Sequence, residues 1–435
     1  MSMKEDLLHF VWNTRRFLPQ NLFTTSGTAI EILEFGHLNS NAGPDFLNAR
    51  IRIGGTLWIG SVEMHLMASD WHRHGHQHDP AYGNVILHVV LGEDKPALRS
   101  DGSPIPCLEL RQHLPGGLVS HYQRLLQTLD WVPCSRQIQS IDKVLVNIWL
   151  EQLVVRRLEE KVSRLQTVLE ATRGDWNEAA FRLAAASLGG TVNKEPMQEL
   201  ARRASLTRLR RMSDHLMGQE AYLFGQAGLL ESRTFQDEYA IRLQKEYAFL
   251  RKKLDLQPMS GTSWKYSRMR PAGFPDIRIA QLTELVSQAP QLMKLWMECT
   301  TPDEAMSHME SAPAGYWKTH YRLDGTKSTL REKRLGSHML RSLIINTAVP
   351  LLFLYGQERQ QPRWIEKSLD WLSQLPPEDN KIVRKWATLD IKADSASQSQ
   401  ALIHLKQSYC DARACLQCQI GQKLLTEPWT GYPAI

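Results

Sequence analysis

The stretch Gly43-Pro44-Asp45-Phe46-Leu47-Asn48-Ala49-Arg50-Ile51-Arg52-Ile53-Gly54-Gly55-Thr56-Leu57-Trp58-Ile59-Gly60-Ser61-Val62-Glu63-Met64-His65 decides the fold of the N-terminal region. Its two halves, 47–53 and 57–66, are short, apolar and alternating, and the Gly54-Gly55 pair between them reads as a hairpin turn. Side chains alternate along a strand, so Ser61, Glu63 and His65 share one face while Val62, Met64 and Leu66 share the other. One face is polar and the other is core. Further strands are expected at 29–35, 84–91 and 105–110, with an amphipathic helix at 4–17 before them. From residue 141 the apolar spacing becomes three and four, predicting helices at 143–171, 177–188, 236–254, 278–287, 335–355, 365–374 and 398–425. The expected fold class is therefore α+β: a small mixed α/β head over residues 1–135 and a large all-α body over 136–435.

The length of 435 residues suits two or three domains with real cores. Hydrophobic residues at 42% and charged residues at 23% exclude wholesale disorder and low-complexity polymers. A net charge of +6 is compatible with a polyanion partner without requiring one. Six cysteines are too few for a disulfide-built fold, and Lys4, Glu5 and Asp6 stand where a signal peptide would be apolar. These features point to a reduced, cytoplasmic chain. The most apolar window, 343–355, is too short to span a membrane and reads as a buried helix kinked at Pro350, so no membrane partner is expected. Gly325-Thr326-Lys327-Ser328 has the wrong order for a Walker A loop, and no metalloprotease or hydrolase-elbow motif occurs.

The chemistry concentrates between residues 41 and 88. Asp45 at a strand start, a hairpin, then Glu63-x-His65 on the next strand could gather two carboxylates around a divalent metal. His72, His74, His76 and His78 follow at alternate positions, then Asp79, and His88 returns on the next strand. From this set Asp45, Glu63, His74, His78, Asp79 and His88 are candidate metal ligands, for Mg or Mn or else Zn. The alternative is that Asp45 caps a turn, Glu63 is a solvated strand residue and the histidines form a polar loop.

Pro44-Asp45 and Glu63-Met64-His65 resemble the PD-(D/E)xK nuclease core over about the first 110 residues. The resemblance implies a metal held by Asp45 and Glu63 that activates water against a phosphodiester of DNA or RNA. His65 stands where that family has Lys, so Asp45, Glu63 and His65 become the candidate catalytic set, with His65 as proton carrier or ligand. Over nearly its full length the chain also resembles a bacterial family of uncharacterised proteins known as a domain of unknown function. The segments 41–46, 60–65, 70–71, 82–90, 268–279, 343–356 and 410–421 carry that likeness, which implies no activity.

In the body, Lys265, Arg268, Arg270 and Arg278 interleave with Trp264, Tyr266 and Phe274, a mixture that tracks phosphates and stacks bases. Cys410, Cys415 and Cys418 have a C-x4-C-x2-C spacing suited to Zn or an iron–sulfur cluster. A fourth ligand would come from Cys107, Cys134, Cys299 or His404; the alternative is thiols packed as small apolar residues. The function expected is a metal-dependent, nuclease-like enzyme, and the second reading is a nucleic-acid- or protein-binding scaffold that does not turn over.

Overall fold

The computed structural model describes residues 5–39, 41–231, 234–313 and 315–426. Lys4, where the first helix was expected to begin, lies outside them. The head is built on a mixed sheet of β1 (Ile30–Glu34), β2 (His37–Leu38), β3 (Phe46–Ile53), β4 (Thr56–Met67), β5 (Val85–Gly92) and β6 (Cys107–Glu109), in the order β1-β3-β4-β5-β6 with β2 on β3. Gly54 and Gly55 have φ of 57° and 85°, the left-handed pair of a two-residue hairpin turn, and Ile53 faces Thr56 across it. β3 runs antiparallel to β4, whereas β5 and β6 continue in parallel.

The β4–β5 register sorts the side chains between the two faces of the sheet. Ser61 pairs with Val85 but Val62 pairs with Leu87, so Ile86 is an extra residue, and the shifted ladder sets Glu63 opposite His88. Val62, Met64, Leu87 and Val89 then face the main core, where α1 (Asp6–Asn13) buries Leu7, Leu8, Val11 and Trp12. Each side chain of that size contributes roughly 1.5–3 kcal/mol when removed from water. On the opposite face lie Glu63, His65 and His88, covered by the segment that opens with α2 (Asp70–Arg73).

α3 (Leu118–Gln127), unread in the sequence, adds Leu118, Tyr122 and Leu125 to the same core. So do Cys415, Leu416 and Leu425 from the far end of the chain. Two compact units result, residues 1–149 with 405–435, and residues 150–404. The division thus differs from the expected boundary at 135/136 and places the cysteine-rich segment with the head. The reason is a return of the chain, which local composition does not record.

The described elements of the second unit are helical, beginning within α4 (Lys143–Ala171). The helical run Ser337–Glu358 is long and apolar enough to cross a membrane, but 72% of its apolar window is buried inside the protein, as in a core helix. Its interruption is a π turn at Ile344–Ala348, just before Pro350. Proline offers no N–H to the carbonyl four residues back, and the widened turn accommodates that loss. The helix expected at 398–425 is broken: Ala396–His404 passes into a π turn at Leu405–Cys410, Arg413 is left-handed at φ 56°, and a new helix begins at Gln419. Apolar spacing continues through the break, so periodicity alone could not show it.

The π turn presents Asn346 to Lys161, whose ammonium also donates to Gln400. Removal from water, with Arg157 nearby, pushes the Lys161 pKa down to about 7. An amine depressed in this way costs stability wherever the unfolded chain would protonate it. The cost is full below pH 7 and disappears as the pH rises towards 10.5. Lys161→Met removes that cost and leaves the Asn346 oxygen without its donor, so its effect on stability should be more favourable at pH 6.5 than at pH 9 by about 2–3 kcal/mol. Thermal melts at the two pH values should show that difference; an effect independent of pH would refute the charged-amine explanation.

Candidate functional site

Three imidazole nitrogens gather above the polar face of β4, and the Glu63 carboxylate lies beside two of them. Glu63 Oε1 lies 3.3 Å from His76 Nε2 and 3.7 Å from His65 Nε2, and His65 Nε2 lies 3.2 Å from His74 Nδ1. The ligand atoms of His65, His74 and His76 all fall within 4.8 Å of one another. Tetrahedral ligands about 2.1 Å from a metal are separated by about 3.4 Å, so these spacings are those of a coordination set.

Local structure explains the convergence. Glu63 and His65 project from alternate positions of β4 and are 5% and 1% exposed. The loop reverses at Gly75, which has φ of 75°, so His74 and His76 both turn towards β4. His76 is clamped by Tyr82, stacked on it at 3.8 Å, and by the edge of Trp71. Behind His65, the fully buried His88 places Nε2 2.8 Å from His65 Nδ1. If His65 donates from Nδ1 to His88, its Nε2 lone pair is left free for a metal, the usual support for a ligating histidine.

The electrostatics keep both rings uncharged. Burial, then the neighbouring imidazoles, pushes His65 down to about 2, and burial pushes His88 down to about 3, so both rings are neutral. His65 thus lacks the fixed positive charge of a lysine in its place. Burial and the Asp45 charge push Glu63 up to about 9, which marks a carboxylate that calls for a cation. Burial also raises Tyr82, to about 12.

Asp45 lies beside this group with other partners. Its backbone N–H donates to Glu63 Oε2, while its Oδ2 accepts from Met64 N at 2.9 Å and pairs with His9 Nε2 at 3.1 Å. Burial lowers the His9 pKa, but the hydrogen bond and charge of Asp45 outweigh it and the net shift is upward. Glu5, one turn before His9, is raised by burial and sits within electrostatic reach of His74, Asp45 and His9. His9 also lines a cleft of about 580 Å³ between α1, α3 and the segment 408–422.

The structure therefore brings together Glu63, His65 and His74, with Asp45 alongside and His88 behind. His78 and Asp79 do not join them: His78 is exposed, and Asp79 caps a turn by accepting from Ala81 N. The loop alternates, but the short helical turn His76–His78 rotates His78 away. His76, Glu5 and His9 were missed as site residues. The Glu5-x3-His9 spacing on one helix face was the available signal, since residues four apart share a face.

In the helical unit Lys265, Arg268 and Arg270 are exposed, as a phosphate-contacting surface requires. Arg278 is half-buried and donates to Gln281, lining a separate basic cavity of about 510 Å³ with Arg331, Lys333 and Arg334. Its position in the first turns of a packed helix turns it away from the exposed run.

No curated protein and no solved structure matches the chain. The sequence profile that does match covers residues 5–381, taking in every residue of the four-donor site and Cys134 but stopping before Cys410. On that coverage, the chain belongs to the family described as "Protein of unknown function (DUF2851)".

Proposed function

We propose that the head is a metal-dependent nuclease. The observation that carries this reading is that His65 and Glu63 of β4 meet His74 and His76 of the loop that follows it, with His65 Nε2–His74 Nδ1, Glu63 Oε1–His76 Nε2 and Glu63 Oε1–His65 Nε2 at 3.2, 3.3 and 3.7 Å and Asp45 alongside. Three imidazoles and one carboxylate suit Zn, Mn or another first-row ion better than Mg, which prefers an oxygen shell. A bound ion of this kind would supply Lewis-acid activation of water and neutralise charge on a phosphodiester.

The remaining roles belong to the chain. Glu63, His65, His74 and His76 hold the ion, and His88 orients His65. Asp45 fixes the His9 ring beside the cleft, where that imidazole is the group available to move a proton. Exposed Lys265, Arg268 and Arg270 form, within the helical unit itself, a basic run of the kind that contacts phosphates.

The test is an assay of the full chain on single- and double-stranded DNA and RNA with Mn, Zn or Mg, with and without chelator. Cleavage supported by Mn or Zn and abolished by chelation is expected. Arg268→Ala with Arg270→Ala should weaken binding and lower its salt slope by about one per lost phosphate contact, leaving metal content unchanged. Binding with no cleavage under any metal would replace the nuclease reading with the scaffold, and absence of both would refute either.

A further inference from the structure

Outside the histidine site, the cysteines of the C-terminal segment gather no donor set. Cys410, Cys415 and Cys418 are each 8% exposed, but among the described residues no three sulfurs from this trio and Cys134 lie within 4.8 Å of one another. The basic cavity of the helical unit is built differently. The first turns of the helix Pro275–Gln288 and the segment 331–339 form its walls, and Arg278, Arg331, Lys333 and Arg334 line its volume of about 510 Å³.

Arg278 is held there by a buried amide rather than by a carboxylate. Gln281, three residues further along the helix and 3% exposed, accepts from Arg278 Nη1 at 2.9 Å and donates from Nε2 to the Lys333 and Arg334 carbonyls at 2.8 and 3.3 Å. One side chain thus fixes both the guanidinium and the loop opposite it. That loop has no helix or strand of its own from 331 to 336. It is nevertheless pinned at three further points: Arg331 N–H donates to the Lys318 carbonyl, Leu335 N–H to the Ser311 carbonyl, and Lys333 Nζ to the Trp317 carbonyl at 2.6 Å. A loop immobilised in this way presents its side chains already ordered for a ligand.

The charges in the cavity do not balance. Arg334 pairs with Glu332 at 2.7 Å and lies 3.9 Å from Glu310. The Lys333 ammonium is committed to the Trp317 carbonyl and to the Tyr321 ring, 4.4 Å from its centroid, so it contributes charge rather than a contact. Arg278 and Arg331 have no carboxylate partner among the described residues. A half-buried cation without a counter-charge is costly, and Gln281 takes only one of the N–H donors of Arg278. Two guanidiniums with a lysine behind them suit an anion of more than one charge with several acceptor oxygens. A phosphate monoester carries about −1.5 to −2 near neutral pH and three such oxygens, whereas a carboxylate or a phosphodiester carries a single charge. The volume falls within the range of small-molecule sites, about 300–1,000 Å³.

We propose that this cavity binds the phosphate monoester of a small molecule, with Arg278 and Arg331 gripping the phosphoryl oxygens. This proposal does not depend on the nuclease reading.

The experiment is isothermal titration of the full chain at about pH 7.5 and about 0.15 M ionic strength, with inorganic phosphate, glycerol phosphate, dimethyl phosphate and acetate as probes. Saturable binding of the first two is expected, at least about tenfold tighter than that of either monoanion. Arg278→Gln and Arg331→Ala should each weaken it by about 10–100-fold, the usual effect of losing hydrogen bonds to a charged group. Lys392→Ala, which removes one exposed charge outside the cavity, should bind like wild type. Should Arg278→Gln fail to fold, Arg331→Ala still decides, because Arg331 is exposed and lies outside any helix. Absence of saturable phosphate binding, unchanged affinity in either arginine variant, or dimethyl phosphate or acetate bound as tightly as phosphate would overturn the proposal. Phosphate bound without glycerol phosphate would also overturn it, leaving a site for the free ion.

Discussion

Glu63→Ala protein is expected, under the proposed nuclease reading, to bind no divalent ion at the histidine site and to cleave nucleic acid on the order of 10³-fold more slowly than wild type. The magnitude comes from the chemistry: Lewis-acid stabilisation of a phosphoryl transition state is worth several kcal/mol, and each 1.36 kcal/mol is tenfold in rate. Glu63→Gln separates this effect from misfolding. Its amide is nearly isosteric, and its carbonyl can still accept the Asp45 N–H that Glu63 Oε2 accepts now. Metal-free Glu63→Gln should therefore melt close to wild type yet bind no ion. His88→Ala should behave differently, because His88 touches the ligand His65 and not the metal. Affinity should fall about 10–100-fold while cleavage recovers at raised metal concentration. Isothermal titration with Mn or Zn checks all three, and a Glu63→Gln protein that binds metal like wild type would refute the coordination set.

Gly60→Ala should destabilise the head by about 3 kcal/mol, lowering the melting temperature of its transition by about 6–12 °C. A Cβ on Gly60 would fall 2.5 Å from the Asn84 carbonyl oxygen and 2.5 Å from Ile86 Cγ2. Neither neighbour can yield freely. The Asn84 carbonyl accepts the Ser61 N–H at 2.8 Å, and Ile86 is the extra residue of the β4–β5 ladder, 4% exposed. Relief requires β5 to move away from β4, and that movement pulls His88 from His65. The variant should consequently lose metal affinity as well as stability, and calorimetry with metal titration reads both. Wild-type melting in Gly60→Ala would mean that the bulge relaxes without cost.

Much of the head was legible because its signals are local. Alternating apolar residues on either side of Gly54-Gly55 specify a hairpin, and a period of two puts Glu63 and His65 on one face. What was not legible depends on register and on distance along the chain. Nothing in the period-two pattern announces Ile86 as an extra residue, yet that residue sets Glu63 opposite His88. His76 was passed over in favour of His78 because alternation treats them alike, whereas the turn at 76–78 separates them. Glu5 and His9 share a helix face visibly, but only the packing of α1 against the sheet brings His9 to Asp45. The polar face of β4 is buried under the histidine loop, which goes against the alternative in which Glu63 is a solvated strand residue.

The head is discontinuous in sequence, with the helical unit inserted between residues 149 and 405. A ribosome adds about 5–20 residues per second, so the roughly 250 intervening residues delay the final segment by about 13–50 s after residue 149 is made. During that interval the cleft beside His9 lacks the wall that residues 408–422 provide, and Leu416 and Leu425 have not yet entered the core. A nascent chain would thus carry the histidine ligands early but remain without its completed cleft until synthesis has passed both units. That order of assembly withholds the finished groove until the ribosome has nearly completed the chain.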